Sequence, residues 1–370
     1  MQFIDLKAQL AHMRPAIDKR IAKVLDHGQF IMGPEVFELE EQLAEYVGVK
    51  HCISCANGTD ALQLSLMALG IGPDDTVITT AFSFFATAEV IPLVGATPYF
   101  VDIDPHTYNI CPVSLEQGIA DAKKQGLIPK AVIAVDLFGL PANYPELERI
   151  CQRHNLRLIE DAAQGFGGSI KGQKAGSFGD IATTSFFPAK PLGCYGDGGA
   201  IFTNNDQLAE LCKSLRIHGK GENKYDNVRV GMNSRLDTIQ AAILLEKLTC
   251  FEHELAKRQQ ISSDYSTQLH EYFNTPSVPQ DYQSAWAQYT LTSKQNDREY
   301  WLKKLQKDDI PCAIYYPTGL NQQKPMLGYI SMDTPNSDKL CEHVFSIPIH
   351  SYLTLQQKNS ILDGLLRNPL

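Results

Sequence analysis

The chain has 370 residues, 44% apolar and 20% charged, with a formal net charge of −9, which suits a globular protein with one large domain and a smaller one. No Lys/Arg block offsets the acidic balance, which argues against nucleic acid as a partner, and no apolar run reaches the ~20 residues of a membrane-spanning helix. The start Met1-Gln-Phe-Ile-Asp-Leu-Lys lacks the regions of a signal peptide, and nine cysteines without a framework spacing read as reduced thiols, so a cytoplasmic setting is expected.

From the N-terminus, Pro34 opens a helical pattern that runs to Val47 and is closed by Gly48. Between residues 50 and 205 short apolar runs alternate with helical patterns. The runs 51–55, 77–80, 98–101, 131–135, 156–159, 182–186 and 199–203 lack the polar alternation of half-exposed strands. They predict a mainly parallel, seven-stranded sheet buried on both faces, an α/β architecture with flanking helices. Helical spacing predicts helices over 59–69, before Gly70, and over 144–154, after Pro141. A long helix is expected over 235–269, then a loop with Pro276 and Pro279. After it, 286–292, 313–316 and 344–349 read as strands, and 298–306 and 354–366 as helices, a small α+β domain. The expected division is a large domain with N-terminal helices over 1–245 and a small C-terminal domain over 246–370.

Candidate chemistry gathers at the ends of the expected strands, where an α/β sheet binds its ligands. Asp161 ends the run Leu158-Ile-Glu-Asp161, and a carboxylate there is costly to bury without a partner. A protonated pyridine nitrogen would be such a partner; a helix cap or a structural ion pair is the alternative. Gln164, one turn on, could donate to a phenolate oxygen. About thirty residues after Asp161, Lys190 stands in Ser185-Phe-Phe-Pro-Ala-Lys190-Pro-Leu-Gly193, among small and turn-forming residues. A lysine that bonds an aldehyde, with a carboxylate that keeps a pyridine ring protonated, is what pyridoxal phosphate chemistry requires. Ser185 could add a hydroxyl to the phosphate.

Asn57-Gly58-Thr59-Asp60 falls between a strand and a helix, where glycine permits close approach and helix amides suit a phosphate. A plain helix start capped by Asn57 or Thr59 explains the same residues. In Ala81-Phe-Ser-Phe84-Phe-Ala-Thr-Ala88 the Phe84 ring could stack on the pyridine, with core packing as the other reading. Cys52-Ile-Ser-Cys55 has no second pair to complete a metal site and reads as buried strand, so no metal is expected.

In this order, Asn57-Gly-Thr-Asp-Ala-Leu, Glu160-Asp-Ala-Ala-Gln, Ser185-Phe-(x)3-Lys190, Gly196-Asp-Gly-Gly and Gly231-Met-Asn233-Ser-Arg235-Leu-Asp resemble the DegT/DnrJ-type nucleotide-sugar aminotransferases. The likeness extends from Phe3-Ile-Asp-Leu and Gly33-Pro-Glu-Val to Tyr316-Pro317. It implies the aspartate-aminotransferase-like fold, fold type I, with pyridoxal 5'-phosphate as cofactor. It also implies Lys190 as the residue bonded to the cofactor, Asp161 on the pyridine nitrogen and Gln164 near the ring hydroxyl. Gly58, Thr59 and Ser185 would hold the phosphate, with Phe84 at the stacking position. Family members are homodimers with shared sites, so Asn233 would reach the neighbouring chain's phosphate and Arg235 would lie beside it near the substrate.

Within that family, the runs from Cys52 to Gln63, from Ser185 to Asn204 and from Arg229 to Thr238 are most similar to UDP-2-acetamido-2-deoxy-3-oxo-glucuronate aminotransferases. One departure falls in the small domain. Tyr315-Tyr316-Pro317 stands where many relatives carry His-Tyr-Pro, so two tyrosines become the substrate-facing candidates. The resemblance implies transfer of an amino group, with glutamate as the expected donor, to a UDP-linked 3-keto-N-acetylhexosamine or its uronate, for surface polysaccharide synthesis. Lys190 would move the proton, and Arg235 would meet a uronate carboxylate. A 4-keto or dTDP-linked sugar is the alternative acceptor. A dehydrating relative would carry histidine in place of Lys190, and a non-catalytic regulatory protein would not need the full set of cofactor residues.

Overall fold

The seven apolar runs do pair into one sheet, and burial of both faces is the reason they read as continuous apolar segments. The computed structural model describes residues 1–223, 225–295 and 297–367. The strands are β1 (His51–Cys55), β2 (Asp75–Thr80), β3 (Thr97–Val101), β4 (Ile128–Val135), β5 (Arg157–Asp161), β6 (Ile181–Ser185) and β7 (Gly199–Thr203), in the order β1-β7-β6-β5-β4-β2-β3. Neighbours are parallel except at β7, which is antiparallel to both β1 and β6.

The chain enters through α1 (Leu6–His27) and α2 (Pro34–Val47); the sheet is then covered by α3 (Gly58–Ala68), α4 (Ala86–Leu93), α5 (Pro112–Lys124), α6 (Tyr144–His154) and α7 (Asp206–Leu215). α3 is set by its ends and its burial. Asn57 Oδ1 accepts the Asp60 N–H at 2.8 Å, and Ala61, Leu62, Leu64 and Leu66 are buried on successive faces. Each of those leucines contributes ~1.5–3 kcal/mol by leaving water. The result is a helix whose N-terminus is fixed at the mouth of β1.

α8 (Thr238–Leu269) is a 32-residue helix that serves two cores. Its first half places Leu244, Leu245 and Phe251 against Val36, Phe166 and Phe202. Its second half places Ile261, Tyr265 and Leu269 against Trp301, Phe345 and Ile361. Residues 245 and 246, where the sequence suggested a division, therefore lie inside one continuous helix. The second core is closed by Tyr289–Ser293, antiparallel to both Phe273–Asn274 and Phe345–Ile347, and by α9 (Arg298–Lys307), α10 (Pro335–His343) and α11 (Leu355–Leu366).

Three expectations for this half change. The strand expected over 286–292 starts only at Tyr289, because Trp286 has a φ of +50° and cannot be extended. The strand expected over 344–349 is Phe345–Ile347, cut short by Pro348, which cannot donate to a ladder. The stretch 313–316 makes only an isolated bridge, Ala313 to Ser346, before the chain turns Tyr316 toward the large domain. The two halves are tied by Asp102, just past β3, whose carboxylate accepts the Asn336 and Ser337 N–H groups at the start of α10.

Candidate active site

A cavity of about 660 Å³ opens where the carboxyl ends of β2, β5 and β6 face the N-termini of α3 and α4. Asn57, Gly58, Thr59, Phe84, Asp161, Gln164, Ser185, Lys190, Tyr315 and Tyr316 all line it. Most of these residues, far apart in the chain, are thus brought to one place by the parallel strands, which deliver their following loops to the same edge.

Asp161 is the last residue of β5 and is 5% exposed. Its Oδ2 accepts the Thr87 hydroxyl at 2.9 Å and its Oδ1 accepts the Ala163 N–H at 3.2 Å. Among the described residues no cation is bonded to it. Burial pushes the Asp161 carboxyl up, and the Thr87 hydroxyl, the Ala163 N–H and the charge of Lys190 oppose that rise. Burial pushes the Lys190 ammonium down, opposed by the charge of Asp161. Each group therefore favours its charged form in the other.

The loop that carries Lys190 is held at several points. Lys190 N–H donates to Phe187 O at 2.9 Å, and Cys194 N–H to Phe186 O at 2.8 Å. Tyr195 N–H donates to Gln240 Oε1 at 2.9 Å, and the buried Lys247 ammonium donates to Gly193 O. A side chain on so constrained a loop is pre-positioned at low entropic cost.

The start of α3 answers both readings of the Asn57 segment. Asn57 is the cap, and Gly58 and Thr59 also line the cavity. Glycine is required at 58, where a Cβ would lie 2.7 Å from Ser185 Cβ. The first amides of the helix have no carbonyl to bond within it and suit an anion. Ser185 Oγ accepts the Phe187 N–H at 3.3 Å and leaves its own proton free to donate.

Gln164 is engaged on both sides. Its Oε1 accepts the Phe138 N–H at 2.8 Å, and its Nε2 donates to the Tyr316 hydroxyl at 3.1 Å. Phe84 is 54% exposed at the cavity mouth, its ring centroid 6.3 Å from that of Tyr316. Tyr315 meets Phe3 edge-on, which brings Ile4 to the cavity wall.

Asn233 and Arg235 are not brought to this cavity by their own chain. Asn233 is exposed, and Arg235 Nη2 donates to its Oδ1. Residues the sequence reading passed over include Thr87, which bonds Asp161, and Ser83, whose hydroxyl lies 3.1 Å from that of Thr87. The available signal was the pair of hydroxyl residues four apart after β2, Ser83 in the loop and Thr87 in the first turn of α4, at a strand's carboxyl end.

The residues fit pyridoxal phosphate on grounds visible here. A buried carboxylate without a cation, a lysine, a helix N-terminus cleared by glycine and a free hydroxyl surround one cavity of suitable volume.

Comparisons with known proteins agree. The model of the DegT/DnrJ/EryC1/StrS aminotransferase family matches residues 12–366. A UDP-2-acetamido-2-deoxy-3-oxo-D-glucuronate aminotransferase of Pseudomonas aeruginosa is 48% identical over 95% of this chain and 96% of its own. A UDP-N-acetyl-3-dehydro-alpha-D-glucosamine 3-aminotransferase of Acidithiobacillus ferrooxidans is 39% identical over 96% of this chain and 94% of its own. NtdA of Bacillus subtilis, solved with bound cofactor PMP, superposes with a TM-score of 0.91 at 31% identity, covering 99% of this chain and 84% of that one.

Proposed function

Because the chain belongs to the DegT/DnrJ/EryC1/StrS aminotransferase family of fold type I, pyridoxal-phosphate-dependent enzymes, we propose that it aminates the 3-keto group of a UDP-linked N-acetylhexosamine or its uronate. The two relatives named above act on UDP-linked 3-oxo sugars, one a uronate and one not. Glutamate is the proposed amino donor, the product serves surface polysaccharide, and the working form is a cytoplasmic homodimer. No helix among the described residues is long and apolar enough to cross a membrane.

Pyridoxal phosphate, when bound, supplies a carbonyl that takes up the amino group and a ring that withdraws electrons. The chain's residues then have these roles. Lys190 would hold the cofactor at rest through its side-chain nitrogen and, when free, would serve as the acid and base that moves the proton. Its ammonium, pushed down by burial, gives up that proton more readily than an exposed lysine would. Asp161 would hold the cofactor's ring nitrogen and favour its protonated form. Gly58, Thr59 and Ser185 would hold the phosphate, and Phe84 and Gln164 would hold the ring. Tyr315 and Tyr316 meet the sugar. Asn233 and Arg235 act in the partner's site, where Arg235 pairs with a uronate carboxylate.

The observation that carries this reading is the convergence of Asp161, Lys190 and the α3 N-terminus on one cavity. Enzyme in its amino-loaded form, mixed with UDP- and dTDP-linked 3-keto and 4-keto sugars, should regain the aldehyde-form absorbance with the UDP 3-keto compounds first. Faster return with a dTDP-linked or 4-keto sugar would reject the acceptor assignment.

A further inference from the structure

Next to the cavity, on the opposite face of the sheet from Asp161, β4 and β5 bring two more carboxyl groups together. Strand parity places them: Glu160 is the register partner of Ala134, and Asp136 is two residues beyond Ala134. Asp161 is the partner of Val135, which lines the cavity. Asp136 and Glu160 are both 0% exposed. Asp136 Oδ1 accepts the Tyr144 hydroxyl at 2.7 Å and the Ala142 N–H at 3.0 Å. The Glu160 oxygens accept the Gly176 N–H at 2.7 Å and the Phe178 N–H at 2.8 Å.

One atom is left over. Asp136 Oδ2 has no hydrogen-bond partner, although the packing is so close that a Cβ at Gly165 would lie 2.4 Å from it. Among the described residues no lysine, arginine or histidine bonds either carboxyl. Two adjacent ionised carboxylates in this interior, with Asp161 as a third, would be a severe electrostatic cost. A carboxyl hydrogen turns the same arrangement into an O–H···O bond and gives Oδ2 its partner.

We infer that Asp136 and Glu160 share one proton at neutral pH, so that the pair adds a single charge behind Asp161 and leaves Asp161 as the carboxylate facing the cavity. Burial pushes both members up; the charge of Asp136 pushes Glu160 up further, while a hydrogen bond from Glu160 draws Asp136 back down. The titratable groups facing them are Tyr144 from α6, a hydroxyl donor pushed up by burial, and Asp161 from β5. The proton comes from solvent, and no other bond is made or broken. The pair positions Asp161 through the backbone: Asp136 N–H donates to Asp161 O at 3.0 Å, and Glu160 precedes it in the strand. The proton is held with or without cofactor, so the test does not depend on the assigned reaction.

A folded-state carboxyl raised above its unfolded value keeps a proton that the unfolded chain has already lost. Its contribution to stability is therefore complete at acid pH and declines as pH rises from the unfolded carboxylate value, about 4, toward the raised value. Asp136→Asn and Glu160→Gln each replace the shared proton by a permanent N–H donor. Thermal midpoints of the cofactor-free variants should fall less steeply than wild type between about pH 5 and pH 9. Infrared spectra at neutral pH should show a protonated-carboxyl C=O band in wild type that either variant loses and Asp161→Asn retains. Parallel pH slopes in all chains overturn the assignment, as does a band that vanishes only in Asp161→Asn. If a variant does not fold, the wild-type spectrum still decides: no protonated-carboxyl band means no shared proton.

Discussion

The wall of the cavity built by β5 and α3 is finished within one chain, whereas the side toward Phe84 and Phe187 is open. On the finished side Asp161 and Gln164 are buried, and each side chain has partners from two other segments or residues. On the open side Phe84 and Phe187 are 54% and 53% exposed; away from the cavity, in the segment leading to Asn233, Val228 and Val230 are 53% and 87% exposed. Apolar groups so exposed around polar ones are what an interface leaves behind when its partner is absent. The contrast separates two tasks in the proposal: one chain supplies the residues proposed to polarise the cofactor, and a second copy is proposed to complete the grip on its phosphate and the place where the sugar sits.

The largest effect should come from disturbing the finished side. Asp161→Asn keeps an oxygen for the Thr87 hydroxyl but cannot carry a negative charge, and turnover should fall by about 10²-fold or more, with little change in the thermal midpoint of the cofactor-free chain. Steady-state rates and calorimetry check both halves of that statement. Turnover close to wild type would mean that this wall does not polarise the cofactor.

A second experiment separates the two sides. Asn233→Ala and Lys190→Ala chains should each be poorly active alone, yet a mixture allowed to exchange subunits should regain activity above both parents. Each mixed dimer then holds one site with Lys190 from one chain and Asn233 from the other. Confirmed exchange without recovery would place Asn233 in its own chain's chemistry or in none.

The smallest effect belongs to Thr87→Val, which removes one hydrogen bond to Asp161, worth about 1 kcal/mol, or roughly fivefold in turnover. Losing that donor removes something that favours the charged carboxylate, so Asp161 should move further up and the loss should be greatest at acid pH. A pH–rate profile shows whether it does.

Much of the finished side was legible in the sequence, and the reason is physical. Strands buried on both faces are written as unbroken apolar runs, so β1 and β7 appear with their observed bounds and Asp161 stands at the end of β5. The cofactor residues sit at strand ends, where polar side chains after apolar runs stand out. α4 was not legible, because a short buried helix that is apolar nearly all round, with Pro92 inside it, has no polar face to set a period. The bend before Tyr289 was hidden too, since a positive φ at Trp286 is imposed by packing rather than by residue type. Thr87 was missed because the spacing of Ser83 and Thr87 marks a strand end without naming a partner 74 residues away. The pairing of Asp136 with Glu160 was equally silent, as it depends on strand register.

The central claim is that Lys190 is the residue bonded to the cofactor, and one measurement tests it most directly. Protein incubated with pyridoxal phosphate, reduced with borohydride and digested should carry the added mass on the peptide containing Lys190. The chain supplies its own control in Lys247, a buried lysine pushed down to about 8 by burial. Label on Lys190 with Lys247 unmodified is the predicted result; label on Lys247, or folded protein that takes up none, would contradict the account.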